Sequence, residues 1–446
     1  MSRAFIYAVV AFFVGAAAGA LVVSQETTSY KQTARLVRQL SLAREENDRL
    51  RSVVAEAERT KKRAAGKVHS DLVEKEVETI RALKFKQPVD YNVLGRKEIK
   101  QTIAGKLDEV FTEKEFEDMA AGLSALGLLP PAYPLRQSYI DLLGEQVAAF
   151  YDQHQHKLFM FEDASLDNAQ NRVVLAHELT HALQDQHFSL KRLPLESKDN
   201  DDRAAAAAAL VEGDATLVMS EFMLKNLSLG TIKDSLTASI TQNMEQLAKA
   251  PRYLREMLVF PYLRGQEFCG ALYGIGGYEA VSKAYARPPS STSQILHPEK
   301  YLAEPREEPI TIHLGNHEVT GQKPTAENTV GEMGIRILLS EWVDDATGER
   351  AADGWRGDRY LCYEGGKALL WKSSWATPEE AAEFAAAKRA ALEKRHQLTA
   401  PRNNGGRYEA DAPRVVRIFS PKPNEVVVID AATAEWAAKL EEQFGK

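Results

Sequence analysis

The run NRVVLAHELTHAL, residues 171–183, constrains the fold of this chain more than any other stretch. Its apolar residues recur with the helix period. On an α-helix, positions i and i+4 lie one above the other, so His177 and His181 share a face. With His177 at zero and about 100° per residue, His181 falls near 40° and Glu178 near 100°. Leu175, Leu179, Ala182 and Leu183 occupy roughly 140° to 240°, so the opposite face is core. Two unpaired imidazoles on a buried helix are costly, and a shared metal ion removes that cost. Glu178 then sits beside the metal, where a carboxylate takes a proton from a water that the metal activates.

A catalytic metal of this kind usually has three protein ligands. His187 follows His181 by six residues, but Gln184 stands where a glycine would have to turn the chain back. A helix that simply continues carries His187 about 9 Å further along its axis. Glu212 is the better third ligand. It lies in DDRAAAAAALVEGDATLVMSEFML, a strongly helical stretch in which Ala205, Ala208, Ala209, Ala215 and Thr216 surround it. Small side chains let this second helix come close to the first. Asp214 points about 200° away on the wheel, and supports the site only if Gly213 distorts the helix.

This layout resembles the gluzincin class of zinc metallopeptidases, to which thermolysin belongs. The strings GEQVAAFYD, AHELTHALQDQHF, LVEGDATLVM, SQILHPEKY and GDRYLCYEGG are, moreover, similar to a bacterial family of membrane-associated metallopeptidases without a defined substrate. The resemblance implies that His177, His181 and Glu212 hold Zn²⁺ and that Glu178 is the general base. Many gluzincins carry an aspartate four residues after the ligand glutamate to orient a histidine. Here that place is Thr216, which leaves the support of the ligands open. The class also uses a downstream His or Tyr to stabilise the oxyanion. His297 and Tyr301 are the local candidates, with Tyr278 behind them. The competing reading makes LHPEKY a structured loop whose histidine caps a helix.

Ala4–Val23 is a run of 20 uncharged residues after Arg3, long enough for one hydrocarbon core. It reads as an uncleaved anchor, with a cleaved signal peptide as the alternative because Ala18-Gly19-Ala20 resembles a cleavage site. Leu36, Leu40, Ala43, Asn47, Leu50, Val54 and Ala57 then alternate at spacings of four and three. That is a heptad seam, either a dimeric coiled coil or a single stalk helix. Further on, FKQPVDYNVL reads as a strand and GRKEIKQTIAGKLDEVF as a helix. QVAAFYD and KLFMFED form a hairpin across QHQH, whose His154 and His156 are solvent-facing. KLFMFED, just before the metal helix, is placed as an edge strand for an extended substrate. In the last third, DRYLCYEGG, ALLWKSSW, RVVRIFS and NEVVVID read as strands. Two helices follow the pattern β-β-α-β-β-α, which suggests an antiparallel sheet with both helices on one face. Trp355, Trp371 and Trp375 are core residues. Cys269 and Cys362 are either two buried thiols or one disulfide.

With 446 residues and a net charge of −7, the chain has room for a large core and no basic balance for nucleic acid. The expected fold class is α+β. It comprises an anchor (1–25), a coiled coil (26–66), a mainly helical zincin-like metallopeptidase domain with a small sheet (67–335) and an antiparallel α+β subdomain (336–446). The expected function is zinc-dependent peptide hydrolysis on a peptide or protein substrate, outside a single-pass attachment to the cytoplasmic membrane. A non-catalytic envelope scaffold and a hydrolase of a non-peptide amide are the alternatives.

Overall fold

The computed structural model describes residues 70–444 apart from 145–148, 162–164, 227–246, 316–317, 320, 400 and 405. The anchor and coiled coil expected over residues 1–66 lie outside the described residues. No helix among the described residues is long and apolar enough to cross a membrane. The fold is α+β, as the sequence pattern predicts.

Its first layer begins with helix α1 (70–81) and strand β1 (Asp90–Leu94). Helices α2 (Arg96–Val110), α3 (Glu113–Leu126) and α4 (Leu135–Gly144) lead to the hairpin β2 (Ala149–Asp152) and β3 (Lys157–Phe161). The small sheet has the order β1-β3-β2, with β1 parallel and β2 antiparallel to β3. KLFMF is therefore the central strand, and the expectation that it offers a free edge is wrong. Leu158, Phe159 and Phe161 are all buried, a near-continuous apolar run that suits a strand paired on both sides. The edge beside the helix that carries His177 and His181 belongs to β2.

Three long helices follow. They are α5 (Ala169–Phe188), α6 (Asp201–Asn226) and α7 (Arg252–Ala286), and they make up the middle of the molecule. Asn168 starts α5 by accepting a hydrogen bond from the Gln170 N–H. Helix α7 is bent at Gly276 and Gly277, the latter at φ 61°, so its last turns take a new direction. Short helices α8 (Thr292–Leu296) and α9 (Pro298–Leu302) then connect to β4 (Ala326–Asn328), α10 (Gly331–Trp342) and α11 (Asp345–Ala352).

The last part contains β5 (Trp355–Tyr363), β6 (Ala368–Trp375), α12 (Pro378–His396), β7 (Arg402–Asn404), β8 (Arg407–Ala410), β9 (Val415–Phe419), β10 (Glu425–Ala431) and α13 (Ala434–Phe444). Its seven-stranded antiparallel sheet has the order β4-β5-β6-β10-β9-β8-β7. The two helices lie on opposite faces, contrary to expectation. Phe384 and Leu392 of α12 share a core with Trp371 and Val428, whereas Leu440 and Phe444 of α13 share another with Leu370, Val427 and Ile429. The cause is legible in VVVI and LLW, which are apolar at consecutive positions and need cover on both faces. Trp355, Trp371 and Trp375 are buried, as expected.

The expected division at residue 336 falls inside α10. One hydrophobic core runs from α1 to β10 across it. Polar contacts join the same parts. The last carbonyls of α3 and its C-cap are covered by side chains from later elements. Arg395 donates to Ser124 and Ala125, Lys388 to Leu126 and Trp342 to Gly127.

Candidate metal centre

Glycine sets the spacing of the helices that carry the site. A Cβ on Gly213 of α6 would run into the Gly265 backbone of α7, and one on Gly265 into the Ala209 carbonyl. Cys269 of α7 also reaches the Leu210 carbonyl at 3.5 Å. The alanine-rich face of α6 thus serves a backbone-to-backbone crossing with α7 as well as its approach to α5. Residues Ala204–Ala209 are all buried.

On this frame the structure brings His177, His181 and Glu212 together into a group that can hold a metal ion. His177 Nε2 lies 3.1 Å from Glu212 Oε2, His181 Nε2 lies 3.3 Å from the same oxygen, and the two imidazole nitrogens are 3.0 Å apart. Ligands at about 2.0–2.1 Å from a tetrahedral ion stand about 3.3 Å from one another, so the three atoms form nearly one face of such a tetrahedron. The donor set, two imidazoles and one carboxylate, suits zinc.

The proton inventory points the same way. Gln184 donates from its amide nitrogen to the Val211 carbonyl at 3.0 Å and to Asp214 Oδ2 at 3.1 Å. Its oxygen must then face His181 Nδ1, 2.9 Å away, and that nitrogen must be the donor. The Nε2 lone pair of His181 is thereby left for the centre of the group. Three electron-rich atoms so close repel one another unless a positive charge, a metal ion or a proton on an imidazole, lies among them. Burial lowers the pKa of His181, but the Glu212 carboxylate more than offsets it and carries it up to about 9. Burial raises that of Glu212, but His181 and His177 bring it down to about 2. Burial lowers that of His177.

Asp214 thus supports the site without any break in α6. It lies on the far side of the helix from Glu212 but reaches His181 through the Gln184 amide. Tyr285, from the turns beyond the α7 bend, donates to Asp214 Oδ2 at 2.8 Å. Thr216 is buried and its hydroxyl has no hydrogen-bond partner, so it takes no part in orienting a ligand. Tyr262 of α7 stacks on His177 with ring centroids 6.0 Å apart. Nothing in the sequence pattern marked Tyr262 or Tyr285. Gln184 was legible only as the absence of a glycine.

Glu178 is buried beside the group. Its Oε2 accepts from the Tyr151 backbone N–H at 2.8 Å, while Oε1 has no hydrogen-bond partner. Burial raises its pKa to about 8 although His181 opposes the shift. The Tyr151 hydroxyl donates to Asp185 at 2.9 Å, two turns further along α5. One residue of β2 therefore clamps the edge strand to α5 at two points.

The other expected residues have other partners. His297 Nε2 is 2.5 Å from Glu332 Oε1 and 3.7 Å from Asp353, with the Lys300 ammonium 3.5 Å from Glu332. Two basic and two acidic groups make this an ion-pair network, although its geometry also meets the requirement for a metal group. The Tyr301 hydroxyl donates to the Arg287 carbonyl at 2.9 Å, and that of Tyr278 to Glu221 at 2.9 Å. Neither His297 nor Tyr301 is among the described hydrogen-bond partners of His177, His181 or Glu212. His187 bonds the Lys84 carbonyl at 2.7 Å, as a residue at a helix end. His154 and His156 pair with Glu196 and Asp185. Cys269 and Cys362 are buried free thiols.

A family model described as Domain of unknown function (DUF8575) matches residues 318–441, which contain the seven-stranded sheet and none of His177, Glu178, His181 or Glu212. No curated protein and no solved structure matches the chain.

Proposed function

We propose that this protein is a zinc-dependent metallopeptidase of gluzincin type, anchored by Ala4–Val23 and acting on a peptide or protein substrate in the cell envelope. One observation carries the reading. Two imidazole nitrogens and a carboxylate oxygen converge within 3.0–3.3 Å of one another, buried, with a glutamate beside them on the same helix. When bound, zinc supplies Lewis acidity that activates water and polarises a carbonyl oxygen.

The chain's own residues account for the rest. Glu178 has one oxygen held by the Tyr151 N–H and the other without a partner, which keeps its carboxylate oriented. It accepts the proton of the attacking water and delivers it to the leaving amine. A carboxyl whose pKa lies near the working pH suits both transfers, and burial moves Glu178 in that direction. The extended substrate docks on the β2 edge in place of the expected β3. Tyr262, which stacks on a ligand ring, replaces His297 and Tyr301 as the candidate for steadying the oxyanion.

The burial of the whole group favours a second reading, a zinc-holding scaffold without catalysis. His177, Glu178, His181 and Glu212 are only 0–4% exposed. Cleavage of an unbiased peptide library by wild type and by Glu178→Gln separates the two. A peptidase cleaves, and loses cleavage in the variant while keeping its zinc. Absence of cleavage by zinc-loaded wild type favours the scaffold. Equal cleavage by both proteins removes Glu178 from the mechanism.

A further inference from the structure

The support of His181 extends beyond Asp214 to a residue far upstream. Arg81, the last residue of α1, is fully buried, and its Nε lies 2.8 Å from Asp214 Oδ1. Its Nη1 donates to the Ser282 hydroxyl at 3.0 Å and to the Tyr278 carbonyl at 3.3 Å. The guanidinium lies 4.9 Å from the Tyr278 ring centroid. Both partners come from the part of α7 beyond the Gly276–Gly277 bend, so the bend closes that segment over the arginine.

From these contacts we infer that Arg81 is a positioning residue of the metal site, acting through Asp214 and Gln184 to fix the tautomer and orientation of His181. The inference rests on the reading of His177, His181 and Glu212 as metal ligands. Each link limits the next. Arg81 forms an ion pair with Oδ1 of Asp214, without hydrogen-bond geometry, while Oδ2 accepts from Gln184 and Tyr285. With its nitrogen on Asp214 and Val211, Gln184 can offer only its oxygen to His181. That oxygen keeps the proton on Nδ1 and turns the Nε2 lone pair toward Glu212. Without the arginine, Asp214 is a buried charge with no cation beside it and no reason to keep its orientation. Gln184 then keeps only the Val211 carbonyl as a fixed acceptor, and its amide is held less firmly against His181. Partners of ligating histidines typically set metal affinity by about 10- to 100-fold, and Arg81 is the anchor of such a partner.

The alternative is that Arg81 only pins α1 to α7. Co²⁺ and Zn²⁺ affinities of the purified full-length chain distinguish the two, with Co²⁺ also reporting coordination by its visible spectrum. Arg81→Met is expected to weaken binding of both ions about 10- to 100-fold, and Gln184→Ala to do the same. The double variant should be no weaker than the weaker single one, because both changes break one chain of contacts. Arg81→Lys should recover most of the affinity by keeping a cation beside Asp214. Wild-type affinity in Arg81→Met, or effects that multiply in the double variant, would overturn the inference and leave the metal reading intact. Failure of wild type to bind either ion would overturn both. Should the methionine variant not fold, Arg81→Gln carries the same comparison.

Discussion

Gln184 Oε1 stands 2.9 Å from His181 Nδ1, and the amide that carries it is held by two acceptors of α6, the Val211 carbonyl and the Asp214 carboxylate. Helix α5 therefore has the tautomer of His181 set by the neighbouring helix. A glutamine three residues after the ligand lies close enough on the same helix to do this, and it needs no turn in the chain.

Replacing Gln184 with alanine frees the His181 ring to rotate and to exchange its proton between the two nitrogens. Zinc affinity should fall about 10- to 100-fold, measured by competition with a chelator of known affinity. Unchanged affinity would mean that another group holds the ring.

The crossing of α6 and α7 makes a sharper demand on the backbone. Gly213→Ala places a methyl group against the Gly265 backbone, which must move apart. Overpacking of this kind costs about 1–3 kcal/mol in chemical denaturation, and it should also weaken metal binding because Glu212 is the adjacent residue. Gly270→Ala in α7 is the control. Its Cβ meets nothing within 4 Å, so it should stabilise by about 0.5–1 kcal/mol and leave metal binding unchanged.

Helix α5 was the most legible part of the chain, because a two-faced helix leaves a pattern within a few residues. Glu212 was legible through the small residues around it, although the structure gives part of that face to the crossing with α7. The rest depends on contacts between distant segments. Asp214 looked remote on a helical wheel, which shows only one helix and cannot include a bridging Gln184. Tyr262 and Tyr285 owe their places to the packing of α7. His297 and Tyr301 were chosen for side-chain type, and the structure commits both to partners elsewhere. The role given to β3 failed because the parallel partner β1 comes from a segment separated from it by three helices. The opposite placement of α12 and α13 could have been read from VVVI, where consecutive apolar residues leave no face for water.

Lys388 gives a pH dependence that can be isolated by difference. It is fully buried against the Trp371 ring, and burial, reinforced by Arg395 and opposed by Asp430, lowers its pKa from 10.5 to about 7. The folded chain therefore binds this proton more weakly than the unfolded chain. The penalty is fully present below pH 7, shrinks as pH rises, and is gone above about 10.5. Lys388→Met should lack this component. The difference in stability between variant and wild type should then shift in favour of wild type between pH 7 and pH 10, as read from denaturation midpoints. A difference that stays constant over that range would show that Lys388 keeps an ordinary pKa in its contact with the Leu126 carbonyl.

Elemental analysis of the purified full-length chain tests the central claim most directly. The account predicts one zinc ion per chain in wild type and in Glu178→Gln, with most of it lost in His177→Ala, His181→Ala and Glu212→Ala. Wild-type protein that takes up no zinc after dialysis against it, or a Glu212→Ala variant that keeps full occupancy and affinity, would contradict it.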